Sequence, residues 1–167
     1  DHINLIKAIS IVKKKFQGPF KLYLIGKFFF DDYYYKIKKS IEDYNLNDVI
    51  ELTGPLDDVC KYLEIADLGV ISSKSEGLPV CLLEFGSVGI PVVSTDVGDV
   101  NLILKNGENG VVVPSKNSAT LADGILLCLK NKDYSNKIGS SLKKIVDNEY
   151  SSRSFLYKYN KILKIIS

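Results

Sequence analysis

Two glutamates, Glu76 and Glu84, are the side chains best placed to do chemistry, because only seven residues separate them and these include a glycine and a proline. Glu84 is the only charged residue in an apolar stretch from 79 to 88 that has the pattern of a helix. A helix that is hydrophobic nearly all round is typically buried, and an unpaired buried carboxylate is costly. We therefore expect Glu84 to be buried and to bind either a lysine or the hydroxyl groups of a ligand, such as those of a ribose. Glu76 precedes the helix, in a loop, where it either faces the same cleft or lies in solvent.

The predicted start of this helix is a candidate phosphate site. Pro79 suits the first helical position, and no Ser, Thr, Asp or Asn directly precedes it to cap the helix. The backbone amides of Val80, Cys81 and Leu82 should therefore be free to bind an anion, which the helix dipole also favours. Water or neighbouring backbone is the alternative partner, and the sequence leaves both open.

Other kinds of site have little to build on. The single histidine, His2, lies at the start of the chain, and the three cysteines (Cys60, Cys81 and Cys128) are odd in number and far apart. These spacings fit neither a disulfide framework nor a zinc site, so we expect reduced, buried thiols and no metal. Arg153 is the only arginine, which argues against a nucleic-acid partner.

Length and composition indicate one globular domain. The chain has 167 residues, of which 46% are hydrophobic and 25% charged, enough for a sizeable core. No apolar run approaches the roughly 18 residues of a membrane span. The sequence begins with Asp1 and contains no methionine, so we expect it to be a fragment or a processed chain.

The elements that must position the glutamates alternate along the chain. Strand patterns occur at 20–26, 49–52, 67–71, 91–94 and 110–113, and helical patterns at 3–16, 31–44, 57–66, 79–88, 118–130, 134–148 and 152–166. Short apolar strands separated by helices predict an α/β fold, with a Rossmann-like parallel sheet and helices on both faces. Ligands of such folds bind at the carboxyl ends of the strands, where the loop with Glu76 lies.

The glutamate pair resembles the Glu-x7-Glu signature of the retaining glycosyltransferases of family 4, the group 1 glycosyl transferases. Further motifs match the strand ends of that family: Leu24-Ile25-Gly26, Leu52-Thr53-Gly54, Gly89-Ile90-Pro91-Val92-Val93-Ser94 and Gly107-Glu108-Asn109-Gly110. The similarity extends from about Ile3 to the last helix.

The resemblance implies a GT-B architecture, in which two Rossmann-like domains enclose the active site. Residues 1–167 would form a single nucleotide-sugar-binding domain, the C-terminal half, without the N-terminal acceptor domain. By position, Glu84 matches the glutamate that holds the ribose hydroxyls, and Glu76 matches the catalytic one that faces the transferred sugar. The other donor-binding residues would be Gly26, Leu52, Thr53, Gly54, Ser73, Gly77, Leu78, Pro79, Val80 and Cys81.

The implied reaction is transfer of a hexose from a UDP- or GDP-sugar to a saccharide or lipid acceptor, with retention at the anomeric carbon. The helix dipole and cations would stabilise the leaving diphosphate, so the resemblance implies no cofactor and no metal. The family's donor-phosphate Arg and Lys are expected upstream of residue 1, and the fragment should be inactive alone. Two departures concern the loop that continues Lys27-Phe28-Phe29 after Gly26, and Leu102, which stands where the family often has a glutamate.

Other interpretations remain open at this point. The chain is either this donor-binding domain or a non-catalytic Rossmann-like nucleotide-binding or interaction module, and a GT-B epimerase is a third candidate. The partners implied by the first interpretation are the nucleotide-sugar donor, the missing N-terminal domain, the acceptor and, for the full-length protein, a membrane surface. The expected location is the cytoplasm, with the inner face of the membrane as an option. On the last helix, an apolar face is predicted to be exposed; it consists of Phe155, Tyr159, Ile162, Leu163 and Ile166.

Overall fold

The computed structural model describes residues 1–166, with side chains described as far as Leu163. The strands are β1 (Leu22–Ile25), β2 (Ile50–Gly54), β3 (Gly69–Ile71), β4 (Val92–Thr95) and β5 (Val111–Val113). The helices are α1 (His2–Lys15), α2 (Asp32–Asp43), α3 (Cys60–Ile65), α4 (Val80–Val88), α5 (Val100–Ile103), α6 (Ser118–Lys130), α7 (Lys132–Ile145) and α8 (Ser152–Ile166). One turn of π-helix (Val146–Tyr150) follows α7.

Every pair of these strands is parallel, which confirms the predicted fold class. β1 pairs with β2, and β4 lies between β3 and β5. The hydrogen-bonded strands form two sheets, and within the described residues no ladder joins β1 to β3. The alternation of helices and strands predicts that the strands are parallel, but it does not predict which strands are neighbours. The division into two sheets could therefore not be predicted from the sequence.

Helices cover both faces of the β3–β4–β5 sheet. Val93 of β4 and Val111 and Val113 of β5 belong to a core that also contains α1, α2 and α6. Val92 of β4 belongs to the other core, which includes residues of α4, α5 and α7 and is packed against Val112 of β5. Since successive side chains of a strand point to opposite faces, the two cores lie on opposite sides of this sheet.

Some element boundaries differ from the predictions. The helix predicted at 57–66 starts only at Cys60, whose N–H donates to Asp58 Oδ1 (3.0 Å). Cys60 is exposed and Cys81 half-buried, so of the three cysteines only Cys128 is buried as predicted. The four-residue helix α5 was not predicted, because one turn of helix is too short to show a hydrophobic period.

Gly86 of α4 allows a close approach between this helix and the π-helical turn. A Cβ atom at Gly86 would lie 2.5 Å from Cγ2 of Val146. The side chain of Val146 therefore occupies the space that any larger residue at position 86 would need, and α4 packs tightly against the turn that leads to α8.

The last helix exposes its apolar residues, as predicted. Phe155, Tyr159, Ile162 and Leu163 are all exposed, and the side chain of Ile166 lies outside the described residues. Within residues 1–166, no helix combines the length and the apolar character that crossing a membrane requires.

Candidate functional site

Glu76 lies in the loop between β3 and α4, which we call the acid loop (residues 72–79). Its carboxylate is exposed and accepts a hydrogen bond from Ser73 Oγ at 2.6 Å. The backbone carbonyl of Ser73 accepts in turn from the hydroxyl of Thr95, at the carboxyl end of β4, at 2.8 Å. The sheet therefore fixes the start of the acid loop, and Ser73 orients the carboxylate.

The turn after β4 supports the other half of the acid loop. The N–H of Asp99 donates to the carbonyl of Gly77 at 2.9 Å. Gly98 adopts a φ of +53°, and a Cβ atom there would overlap the carbonyl oxygens of Glu76 and Gly77. Only a glycine satisfies both the backbone conformation and the close approach.

Thr95, Gly98 and Asp99 are residues that sequence reasoning did not assign to the site. The available signal was a glycine next to an aspartate, three residues after the end of a strand, at the edge of the sheet where ligands are expected. That pattern predicts a turn but not the loop against which the turn packs.

The amino end of α4 has no side-chain cap, as predicted. The sequence predicted Pro79 as the first helical residue. In the structure Pro79 is the N-cap residue, and α4 begins one residue later, at Val80. The prediction that the amide of Leu82 is free is wrong, because this N–H donates to the carbonyl of Pro79 at 3.0 Å. The uncapped amides available for an anion are therefore those of Val80 and Cys81.

The prediction that Glu84 is buried is also wrong, because its side chain is exposed. The helix α4 buries only Leu82 and Gly86, while Val80 and Val88 are exposed. The residues of α4 are apolar nearly all round, but one face of the helix still borders solvent. The cost of an unpaired buried charge therefore gives no reason for a ligand at Glu84.

Glu76 and Glu84 lie on either side of the start of α4: Glu76 is in the acid loop, three residues before the N-cap residue Pro79, and Glu84 is in the second turn of the helix. The thiol of Cys81, in the first turn, is half-buried; burial raises its pKa above the ordinary value, and the negative charges of Glu84 and then Glu76 raise it further. The acid loop, the uncapped amino end of α4 and Glu84 together form the candidate site.

The start of α1 borders the acid loop. Lys74 Nζ lies 3.5 Å from the carboxylate of Asp1, whose side chain is only 6% exposed. The hydroxyl of Ser72 donates to the carbonyl of Asp1 at 3.4 Å. Lys74, which precedes Glu76 by two positions in the sequence, thus places an ammonium group in the acid loop.

The remaining predicted residues lie at the carboxyl ends of β1 and β2. The N–H of Gly26 donates to the carbonyl of Gly54 at 3.1 Å, and Thr53 Oγ1 donates to the carbonyl of Leu24 at 3.4 Å. Leu52 is half-buried in the same strand. The structure thus brings Gly26 together with residues 52–54 on one sheet, and Ser73, Glu76–Cys81 and Glu84 together on the other.

A pocket of about 320 Å³ lies away from this site, at the amino ends of β3 and β4. Its lining includes Asp67, Pro91 and Lys132. Asp67 and Lys132 form an ion pair at 2.5 Å. The lysine of this pocket is thus paired with a carboxylate of its own lining, and we assign no ligand to the pocket.

No group of three or more histidine, cysteine, aspartate or glutamate side chains in the described residues is arranged to hold a metal ion. The groups described at the site are two carboxylates, one ammonium group and the amino end of a nine-residue helix.

Comparison with known proteins identifies the relatives of this chain. The family profile of the "Glycosyl transferases group 1" matches residues 1–145. The amylovoran biosynthesis glycosyltransferase AmsK of Erwinia amylovora is 32% identical over 132 residues, which are 74% of this chain and 31% of the relative. The chain spans about a third of the length of the first curated relatives that it matches.

Solved structures show the same fold. Anabaena Alr3699/HepE in complex with UDP superposes with a TM-score of 0.86 at 21% identity, over 96% of this chain and 44% of that one. A point mutant of S. aureus TarM, in complex with fondaparinux, alpha-GlcNAc-glycerol and UDP, has a TM-score of 0.82 at 30% identity, over 95% of this chain and 31% of that one.

The family profile covers most of the chain, and the parallel strands are those expected of this fold. The chain belongs to the glycosyl transferases group 1 family and has the α/β architecture of its GT-B structural neighbours.

Proposed function

We propose that this chain is the donor-binding domain of a retaining, metal-independent glycosyltransferase of family 4. The whole protein would transfer a hexose from a UDP- or GDP-sugar to a saccharide or lipid acceptor in polysaccharide biosynthesis. The observation that carries the proposal is the uncapped amino end of α4, which follows a loop in which Ser73 Oγ holds the Glu76 carboxylate at 2.6 Å and precedes the exposed Glu84 on the helix itself.

The geometry supports a specific role for each group. The amides of Val80 and Cys81 and the dipole of α4 would bind the diphosphate and stabilise the charge that develops on it as the sugar departs. Lys74, near the same loop, would add a positive charge. Its Nζ lies 3.5 Å from Asp1, so a ligand phosphate would compete with that carboxylate.

The two carboxylates would act on different parts of the donor. Glu84 is exposed on α4, so its oxygens are free to accept hydrogen bonds from the ribose hydroxyls. Glu76 is oriented by Ser73 at 2.6 Å and would face the transferred sugar. Gly26 and residues 52–54 would flank the nucleobase from the carboxyl ends of β1 and β2.

The ligands of structural relatives support the choice of donor. HepE was crystallised with UDP, and TarM with UDP and an α-linked GlcNAc glycoside. An α-linked glycoside bound together with UDP is the combination expected of a retaining enzyme that uses an α-linked donor.

Calorimetry with UDP, GDP and ADP tests the donor site. We expect the unmodified protein to bind UDP or GDP, and Glu84→Ala to weaken this binding about tenfold, since hydrogen bonds to a charged group contribute about 1.5–3 kcal/mol. The matched control is Glu64→Ala, which removes an exposed helical glutamate of α3 and should leave the affinity unchanged. Failure of all three nucleotides to bind at millimolar concentration would contradict the proposal.

A non-catalytic module is the second candidate, and the observation that favours it is Leu102, an exposed apolar residue at a position where the family often has a glutamate. The same calorimetry separates the two functions. A module with a decayed site would bind the nucleotides equally well, or equally poorly, with glutamate or alanine at position 84.

A further inference from the structure

Two strands in the middle of the fold each have one edge without a partner. β1 pairs with β2 and β3 pairs with β4, and within the described residues the other edge of β1 and of β3 forms no ladder. An open edge presents a row of N–H and C=O groups and is therefore a template for pairing with a further strand. The question is what the two open edges pair with.

The two sheets lie side by side and share one core. That core contains Leu24 of β1 and Ile50 of β2 together with Val93, Val111 and Val113 of the other sheet. Residues of α1, α2 and α6 belong to the same core. The same layer of helices therefore covers one face of both sheets, and the interruption between them lies beneath this layer.

The start of α1 lies between the carboxyl ends of β1 and β3. The hydroxyl of Ser72, the residue after β3, donates to the carbonyl of Asp1 at 3.4 Å. On the other side, the N–H of His2 donates to the hydroxyl of Tyr33 at 3.0 Å, and Tyr33 is in the first turn of the helix that follows β1. The open edges of β1 and β3 thus lie on either side of the start of α1, and we call the space between these two edges the strand gap.

Backbone groups of both strands are directed into the strand gap. The N–H of Leu22 donates to a carbonyl at the start of β2, and the N–H of Gly69 donates to a carbonyl at the start of β4. In a parallel ladder, alternate residues direct their N–H and C=O groups to opposite sides of the strand. Those of Tyr23, Ile25 and Val70 are therefore directed into the gap. Val70 is half-buried, and an unpaired backbone group there is costly.

Helix α3, which borders the strand gap on the other face, lacks part of its packing surface. The ring of Tyr62 on α3 lies 5.0 Å from that of Tyr23 on β1. None of the residues of α3 is buried, and Ile65 is 70% exposed. A strand in the gap would place side chains on both faces of the sheet, towards α3 on one face and towards the core beneath α1 on the other.

We propose that a sixth parallel strand fills the strand gap, and that it is formed by the residues that directly precede Asp1 in the full-length protein. A strand parallel to β1 and β3 ends at their carboxyl ends, where Asp1 lies, and a short loop then leads into α1. Strand, helix α1 and β1 together make the strand–helix–strand unit that connects parallel strands. A segment of the same chain is favoured over a second molecule, because its attachment at Asp1 gives it a high effective concentration at the gap.

This inference rests on the proposed function, because a donor-binding domain is one part of a longer protein. It also extends that function. Lys74 of the acid loop lies 3.5 Å from Asp1, so the loop that joins the sixth strand to α1 would border the donor site. The strand itself should be a run of about four or five apolar residues, since a parallel strand covered on both faces is apolar throughout.

Hydrogen exchange followed by NMR, without nucleotide, tests for this strand. The two samples are residues 1–167 and the same chain extended by about twelve preceding residues, which are enough for a strand and its loop. We expect the amides of Tyr23, Ile25 and Val70 to exchange at least about 100-fold more slowly in the extended chain, because each gains an acceptor. The internal control is Leu24, whose amide faces β2. Rates are compared relative to Leu24, so that a general gain in stability does not count as pairing.

A variant of β3 provides an independent measurement. Val70→Pro removes an N–H that is directed into the strand gap, and prolines are tolerated where that N–H has no partner. We expect this variant to lower the urea midpoint of the extended chain more than that of residues 1–167. Val70→Ala is the matched control, since it shortens the same side chain but keeps the N–H, and it should lower both midpoints equally. If Val70→Pro folds in neither sample, the exchange rates of the two unmodified chains decide.

Two outcomes would overturn the proposal. The first is that the three amides exchange as fast, relative to Leu24, in the extended chain as in residues 1–167. The second is that they are already protected in residues 1–167, to a degree that rises with protein concentration together with a dimer in sedimentation; a second copy would then fill the gap. UDP binding is measured separately on the same samples. Protection without UDP binding would contradict the proposed function and leave the sixth strand standing, and UDP binding without protection would do the reverse.

Discussion

Gly98 lies directly against the backbone carbonyl of Glu76, so that the turn after β4 sets the position of the acid loop. The contact joins the backbone of Gly98 to the carbonyl group of Glu76, and it therefore requires that residue 98 has no side chain. The predictions below test this support and the groups that it positions.

Replacement of Gly98 by alanine should destabilise the protein and disturb the site together. The new Cβ would overlap the carbonyl oxygens of Glu76 and Gly77, and the φ of +53° is unfavourable for alanine. We expect the free energy of unfolding, measured with urea, to fall by about 2 kcal/mol or more, with a loss of UDP affinity. The matched control is Gly107→Ala: Gly107 has a φ of +82° but open space around it, so only the conformational cost of about 1 kcal/mol should appear. Equal losses in the two variants would show that the contact with Glu76 is unimportant.

Loss of the Thr95 hydroxyl should loosen the acid loop without changing the volume of the core. Thr95→Val removes the hydrogen bond to the carbonyl of Ser73 (2.8 Å) at a fully buried residue. We expect a loss of about 1 kcal/mol in the free energy of unfolding, because a partly buried carbonyl loses its donor. Thr120→Val, at an exposed helix start, should change stability by less than about 0.5 kcal/mol. A Thr95→Val protein as stable as the unmodified one would argue against the proposed support.

Alkylation of Cys81 reports the position of both carboxylates independently of activity. Burial, Glu84 and Glu76 raise the pKa of this thiol, so the reactive thiolate is scarce at neutral pH and alkylation should speed up as the pH rises. Replacing either glutamate by glutamine should lower the pKa of Cys81 and accelerate its reaction with iodoacetamide at a fixed pH. Mass spectrometry of the alkylated peptides measures the rate, with the exposed Cys60 as the internal reference. If Glu76→Gln leaves the Cys81 rate unchanged, Glu76 does not lie near α4.

The proposed roles of the two glutamates should separate in the kinetics of the intact enzyme. Glu76→Gln should lower kcat about 100-fold with little change in KM, because this carboxylate would act on the reacting sugar. Glu84→Ala should mainly raise KM for the donor, because ribose contacts are the same in the ground and transition states. Glu64→Gln is the control for both. A kcat effect confined to Glu84 would contradict the assignment.

The sequence predicts the order of elements well because hydrophobic period and turn residues are local properties. The helices at 118–130 and 152–166 have the predicted bounds. The side chains of Asn117 and Ser151 accept N–H groups of the first turns, and the apolar spacing of both helices is regular. The uncapped start of α4 was also predictable, because capping depends on the few residues around Pro79.

Burial and pairing were less predictable because they depend on distant parts of the chain. The composition of α4 suggested that Glu84 is buried, but which face of the helix meets the core depends on β3 and α7. Likewise, Gly98 and Thr95 belong to the site only because β4 lies next to β3. Position in the sequence alone gives no sign that they contact the acid loop.

The tight packing of Val146 against Gly86 ties the π-helical turn to the helix that carries Glu84. No side chain fits between the two, so any larger residue at position 86 would have to push them apart. The spacing between this turn and the acid-bearing helix is thus set by a single missing methyl group.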